Sequence, residues 1–132
     1  MNGLFKLMTV GSFLIVFFIG INQVEAKGTD DVTVEIDFGD KATKQSHLVN
    51  WEKDLSALEA LMHVTEVSTH AVGQYVFVKS IDKVEGIPTK HVWYYKINGK
   101  SPGKLAISQK LKKGDVVTWI YKQDVCSKKK CK

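Results

Sequence analysis

Trp93-Tyr94-Tyr95-Lys96-Ile97-Asn98-Gly99-Lys100 decides the fold, together with the segment that answers it, Leu111-Lys112-Lys113-Gly114-Asp115-Val116-Val117-Thr118-Trp119-Ile120-Tyr121. Each is an aromatic and β-branched run with a tight-turn pair beside it, Asn98-Gly99 in one and Gly114-Asp115 in the other. Alternation along the first run puts Trp93, Tyr95 and Ile97 on one face and Val92, Tyr94 and Lys96 on the other. The second run divides in the same way, with Val117, Trp119 and Tyr121 opposite Val116, Thr118 and Ile120. Two strands at the centre of a small sheet are expected, with Trp93, Tyr95, Trp119 and Tyr121 in its core.

Upstream, Val32 to Phe38 alternates apolar and polar residues strictly, as a half-buried strand does. Gly39-Asp40-Lys41 is a turn signal, and Ala42 to Val49 returns as a more polar strand suited to a sheet edge. Leu55, Leu58, Leu61 and Met62 then recur at helical spacing, with Asp54 placed to act as N-cap and the β-branched run from Val64 to Ser68 ending the helix. Gly73 restarts extended structure, Tyr75 to Ile81 is a third strand, and Asp82 to Lys90 is a loop. His91 to Ile97, a crossing segment from Leu105 to Leu111, and Val116 to Tyr121 complete the order. Hairpin, helix and further strands predict an α+β, β-grasp-like fold: a mixed sheet of about five strands with one helix packed on one face.

Residues 1–26 read as a secretory signal peptide. Lys6 provides the basic start, Leu7 to Ile21 the apolar stretch, and Val24-Glu25-Ala26 the small residues of a cleavage site. Residues 27–125 would then form one domain in a secreted, extracellular or periplasmic protein, followed by a basic tail over 126–132. The apolar stretch is short for a membrane span, so no stable insertion is expected. The only two cysteines, Cys126 and Cys131, enclose Ser127-Lys128-Lys129-Lys130. In an oxidising compartment they are expected to close a local disulfide loop, with intermolecular pairing or free thiols as the alternatives.

The formal net charge is +5, and all 19 basic residues are Lys. Without Arg the chain lacks the bidentate contacts on which readers of phosphate and guanine depend, and nucleic acid is not expected as a partner. Ser46-His47 is adjacency without a nucleophile elbow or paired carboxylates, so catalysis is not expected either. His47, His63, His70 and His91 have no close Cys, His or Asp cluster in sequence, and no metal site is predicted.

Five pieces in order resemble one family. They are Val32 to Asp40, Leu55 to Leu61, Val76 to Val84, Trp93 to Lys100, and Leu111 to Tyr121, and together they are similar to the transcobalamin-like C-terminal domain, also known as the DUF4430 domain. The resemblance implies a small domain of the kind that closes over cobalamin in transcobalamin and intrinsic factor. There the corrinoid lies between this domain and an α-helical barrel, which the 132 residues of this sequence are not expected to build. It therefore implies a corrinoid as ligand, with a helical-barrel or other extracellular protein as partner to complete the site. The candidate ligand-binding residues are Tyr94, Lys96, Asn98 and Lys100, beside the loop Ser101–Lys104. Aromatic rings offer flat surface to a macrocycle, and Asn and Lys offer donors to amides or phosphate. The alternative is a protein–protein or surface-adhesion module that uses an exposed sheet edge or the basic Cys126–Cys131 loop and has no small-molecule ligand.

Overall fold

The computed structural model describes residues 30–125. The expected signal peptide, Cys126 and Cys131 lie outside the described residues.

Two sheets and one short helix make up the fold. The first sheet contains β1 (Val32–Asp37), β2 (Gln45–Val49), β6 (His91–Ile97) and β7 (Val116–Gln123), in the order β2-β1-β7-β6. β1 runs parallel to β7, and the other two pairings are antiparallel. The second sheet contains β3 (Val67–Val72), β4 (Tyr75–Ile81) and the two-residue β5 (Val84–Glu85), in that order. The helix α1 covers only Ala57–Met62.

This arrangement overturns the expected α+β, β-grasp-like sheet of about five strands with one packed helix. The fold is mostly β, and its strands divide between two sheets. Two local causes account for the difference. The helix is shorter than its leucine spacing suggests, because Leu55 precedes it and Met62, its last residue, is half exposed. Its N-cap is Ser56 rather than Asp54, whose φ of 66° lies in the left-handed region. The Ser56 hydroxyl accepts from Glu59 N (3.1 Å), and the Glu59 carboxylate accepts from Ser56 N (2.8 Å), a reciprocal capping box. Ala57 N and Leu58 N donate to Gln109 O and Ala106 O, so the start of the helix is tied to the crossing segment.

The second cause is β3. Val67-Ser68-Thr69-His70-Ala71-Val72 carries no apolar alternation, yet it pairs antiparallel with β4 through the turn at Gly73. Cross-strand hydrogen bonding formed this strand where side-chain pattern gave no signal.

A single core collects Val32, Val34, Ile36 and Phe38 with Val117, Trp119, Tyr121, Trp93, Ile81 and the buried side of α1. Rings carry the packing from sheet to sheet. Trp93 lies edge-on to Phe38 (centroids 5.6 Å apart) and tilted against Tyr121 (5.2 Å). Their polar tips cross to β5: Trp93 Nε1 donates to Val84 O (2.9 Å), and the Tyr121 hydroxyl donates to Glu85 O (3.0 Å). Each tip thus satisfies a backbone carbonyl while its ring fills the core.

The two turns that opened the sequence reading are bonded to one another. Asn98 (φ 49°) donates from its side-chain amide to Asp115 Oδ1 (2.9 Å), and its Oδ1 accepts from Val116 N (2.9 Å). Asp115 Oδ2 in turn accepts from Lys112 N (2.8 Å). The ends of β6 and β7 are fixed relative to each other by this clamp.

Candidate binding cleft

Where the two sheets meet, a cleft of about 880 Å³ lies between β4 and β6. Val76, Phe77, Val78 and Lys79 form one wall, and Val92, Trp93, Tyr94 and Tyr95 the other. The loop Ser101–Ala106 closes one side, and Trp119 and Leu58 reach the floor. Aromatic and aliphatic side chains dominate, as in sites that take a flat or apolar ligand.

Most polar groups along the lining are already engaged. The Tyr95 hydroxyl donates to Lys104 O, which holds the Ser101–Lys104 loop against the sheet. Burial pushes the Tyr95 phenol above its ordinary pKa, because the phenolate would be poorly solvated there. Tyr95 also stacks on Trp119, with centroids 5.1 Å apart. Asp124 is buried; its carboxylate accepts from Thr89 N (2.9 Å) and from the Tyr94 hydroxyl (3.3 Å). Lys79 pairs with Glu85 at 3.4 Å. Trp119 Nε1 differs from these, being buried with no hydrogen-bond partner among the described residues.

The four candidate residues take different places. Tyr94 lines the cleft, receives the Val125 amide on its hydroxyl (3.2 Å), and has Lys122 Nζ 4.8 Å from its ring centroid. Lys96 lies across from Thr118 on the opposite face of β6 from Trp93 and Tyr95. Asn98 spends both ends of its amide on the turn clamp. Lys100 bonds to Ile97 through its backbone and leaves its side chain exposed. Sequence reasoning missed Val76, Phe77, Lys79 and Leu58 as lining residues. A period of two places Tyr75 and Phe77 on one face, but nothing local says that a second sheet stands opposite.

The Trp93, Trp119 and Tyr121 side chains are buried as expected, and Tyr95 is half-buried. Among the described residues no group of three or more His, Cys, Asp or Glu could hold a metal ion.

The family described as "Domain of unknown function (DUF4430)" matches residues 54–123, just over half of the chain. The chain belongs to the DUF4430 family. Its DUF4430 region runs from the start of α1 to the end of β7 and contains every cleft residue named above except Asp124. No curated protein matches the chain. Among solved structures it is similar to a crystal structure from Ruminococcus gnavus described as a "putative metal binding protein". That likeness has a TM-score of 0.63 at 17% identity, and covers 72% of this chain and 98% of the other. At that identity it speaks for the fold of the DUF4430 chain.

Proposed function

We propose that this DUF4430 protein is a small, non-catalytic binding module whose ligand lies in the cleft between β4 and β6. The observation that carries this is the cleft itself, an open groove with aromatic walls in a domain of this size. With Asp124, Tyr95 and Lys79 already bonded to other groups, its chemistry favours holding a molecule over transforming one. The resemblance to the transcobalamin-like domain makes a corrinoid the first ligand to test, with a helical-barrel or other extracellular protein completing the site. Export through the leader of residues 1–26 is part of the same proposal. A metal is not carried over from the structural relative, because the described residues group no ligand set for one.

The test is a titration of the purified protein with hydroxocobalamin and with cobinamide, followed by visible absorbance and calorimetry. Saturable binding weakened by Phe77→Ser or Tyr94→Ala, and unaffected by Lys100→Ala, supports a corrinoid in the cleft. Absence of binding at about 1 mM ligand, where the binding free energy is only about −4 kcal/mol, overturns the corrinoid assignment for the isolated domain. The second reading, a protein–protein module, is favoured by the exposed apolar hairpin, where Val72, Tyr75 and Phe77 are each about half accessible.

A further inference from the structure

The cleft has a property beyond its apolar lining: both walls are strands seen edge-on. Successive side chains of a strand point to opposite faces, so four consecutive residues share one groove only where the groove runs along the strand edge. Val92 to Tyr95 line it from β6, and Val76 to Lys79 from β4. β6 is the terminal strand of its sheet, paired with β7 on one side only. β5 covers β4 at Ser80 and Ile81, and just past it Gly86 N donates to Lys79 O (2.8 Å).

The free edge of β6 is stopped at both ends. Ile87 N donates to His91 O (2.7 Å) at one end. Ile97 N donates to Lys100 O (2.8 Å), and Lys100 N donates to Ile97 O (3.0 Å), at the other. These bonds show that His91 and Ile97 turn their backbone groups away from β7, and with a period of two Trp93 and Tyr95 do the same. Among the described residues, no backbone hydrogen bond reaches Trp93 or Tyr95 across that edge. Two N–H and two C=O groups therefore face the cleft, an arrangement ready to pair with another extended chain. Lys96, Lys100 and Lys104 stand near this edge and make no ion pair among the described residues.

We propose that the cleft receives an extended peptide of a partner protein, with alternating apolar and acidic side chains, that adds as a strand to the free edge of β6 at Trp93 and Tyr95. Main-chain bonds would hold the peptide. Its apolar side chains would lie on Val76, Val78 and Tyr95, which pack against the core, and its acidic ones would reach the unpaired lysines. This rests on the cleft being the binding site and does not depend on the corrinoid.

The probe is a library of capped hexapeptides that alternate apolar residues with Asp or Glu, screened on the purified protein against a library with Lys at the acidic positions. Enrichment from the acidic library alone is expected. Hydrogen exchange at the Trp93 and Tyr95 amides should slow when the enriched peptide is present. N-methylating the two peptide amides that face β6 should weaken binding roughly tenfold, since each methyl removes a main-chain donor from the added strand. N-methylating the two that face away should change binding by less than about twofold. No enrichment, equal loss from both methylation patterns, or slowed exchange elsewhere but not at Trp93 and Tyr95 overturns the proposal. So does a self-associated form with its β6 edges paired, detected as concentration-dependent mass in sedimentation. If peptides fail while Phe77→Ser still weakens corrinoid binding, strand addition falls and the cleft stands as a small-molecule site. If both ligands fail, the cleft itself is overturned as the binding site.

Discussion

Asn98 shows how much one side chain can settle. It holds a positive φ, which Asn tolerates better than most residues, and its amide joins the turn after β6 to the turn before β7. Asn98→Ala is expected to cost about 1–2 kcal/mol in urea denaturation, from the strained backbone and the lost acceptor for Val116 N–H. Asn98→Gly keeps the backbone freedom and loses only the bonds, so its cost should be less than about 1 kcal/mol. Equal costs would show that the clamp does not act through φ. Glu59 provides a second test. Its backbone and side-chain bonds to Ser56 hold its carboxyl below the ordinary glutamate pKa. The stabilisation from that lowered pKa is complete above the unfolded value of about 4.3 and is lost as pH falls through the folded value. Glu59→Gln should therefore flatten the stability profile between roughly pH 3 and 5 and leave its shape near neutrality unchanged.

At the level of elements, the tightest constraint is where β1 leaves the sheet. Gly39 has φ 63°, and a Cβ placed there would lie 3.2 Å from the Tyr121 carbonyl, a backbone atom that cannot swing aside. Gly39→Ala should cost about 1–2 kcal/mol for the left-handed backbone alone, with the close approach adding to it. Thermal melting of that variant, compared with Gly99→Ala, separates the two contributions, because Gly99 has positive φ and open space around it. The same scale explains which elements were legible. β1 and β7 carry a clean period of two, since each buries one face in the core, whereas β6 buries only Trp93 fully. β3 does not, because it is exposed along most of its length and held by its pairing with β4. α1 was visible through its leucines, but its short span was not: the end at Met62 reflects the chain's entry into β3 as well as local propensity.

Across the whole molecule, the cleft exists because the two sheets are joined mainly at one end. Trp93 Nε1 and the Tyr121 hydroxyl bond to β5, and beyond that short strand and the Gly86 N bond to Lys79 O the β4 edge carries no backbone bond among the described residues. Phe77 stands in this gap and is nearly half exposed. Phe77→Ser should leave the denaturation midpoint within about 0.5 kcal/mol of the parent protein. The same change should weaken any cleft ligand about tenfold, the loss of roughly 1.4 kcal/mol of apolar contact. A large stability loss with unchanged binding would place Phe77 in the fold and take it out of the site. Of the candidate site, Tyr94 and the Ser101–Lys104 loop were legible from sequence, because aromatic residues beside a Pro-Gly loop mark the end of a strand. Phe77 and Leu58 were not, because their position opposite β6 depends on the second sheet.

The sequence by itself determined the two strands β6 and β7, their aromatic core and the turns at Asn98 and Gly114, all of which depend on neighbours a few residues apart; it put both strands at the centre of the sheet, whereas β6 is its edge. It also determined the basic, arginine-free composition and the four pieces from Leu55 onward that fall within the DUF4430 match; Val32 to Asp40 lies outside it. Only the tertiary structure decided that the strands divide into two sheets, that β3 is a strand, and that β4 and β6 face each other across a cleft. Those are contacts between residues far apart in the chain, and side-chain periodicity records which face of a strand is buried but not what buries it.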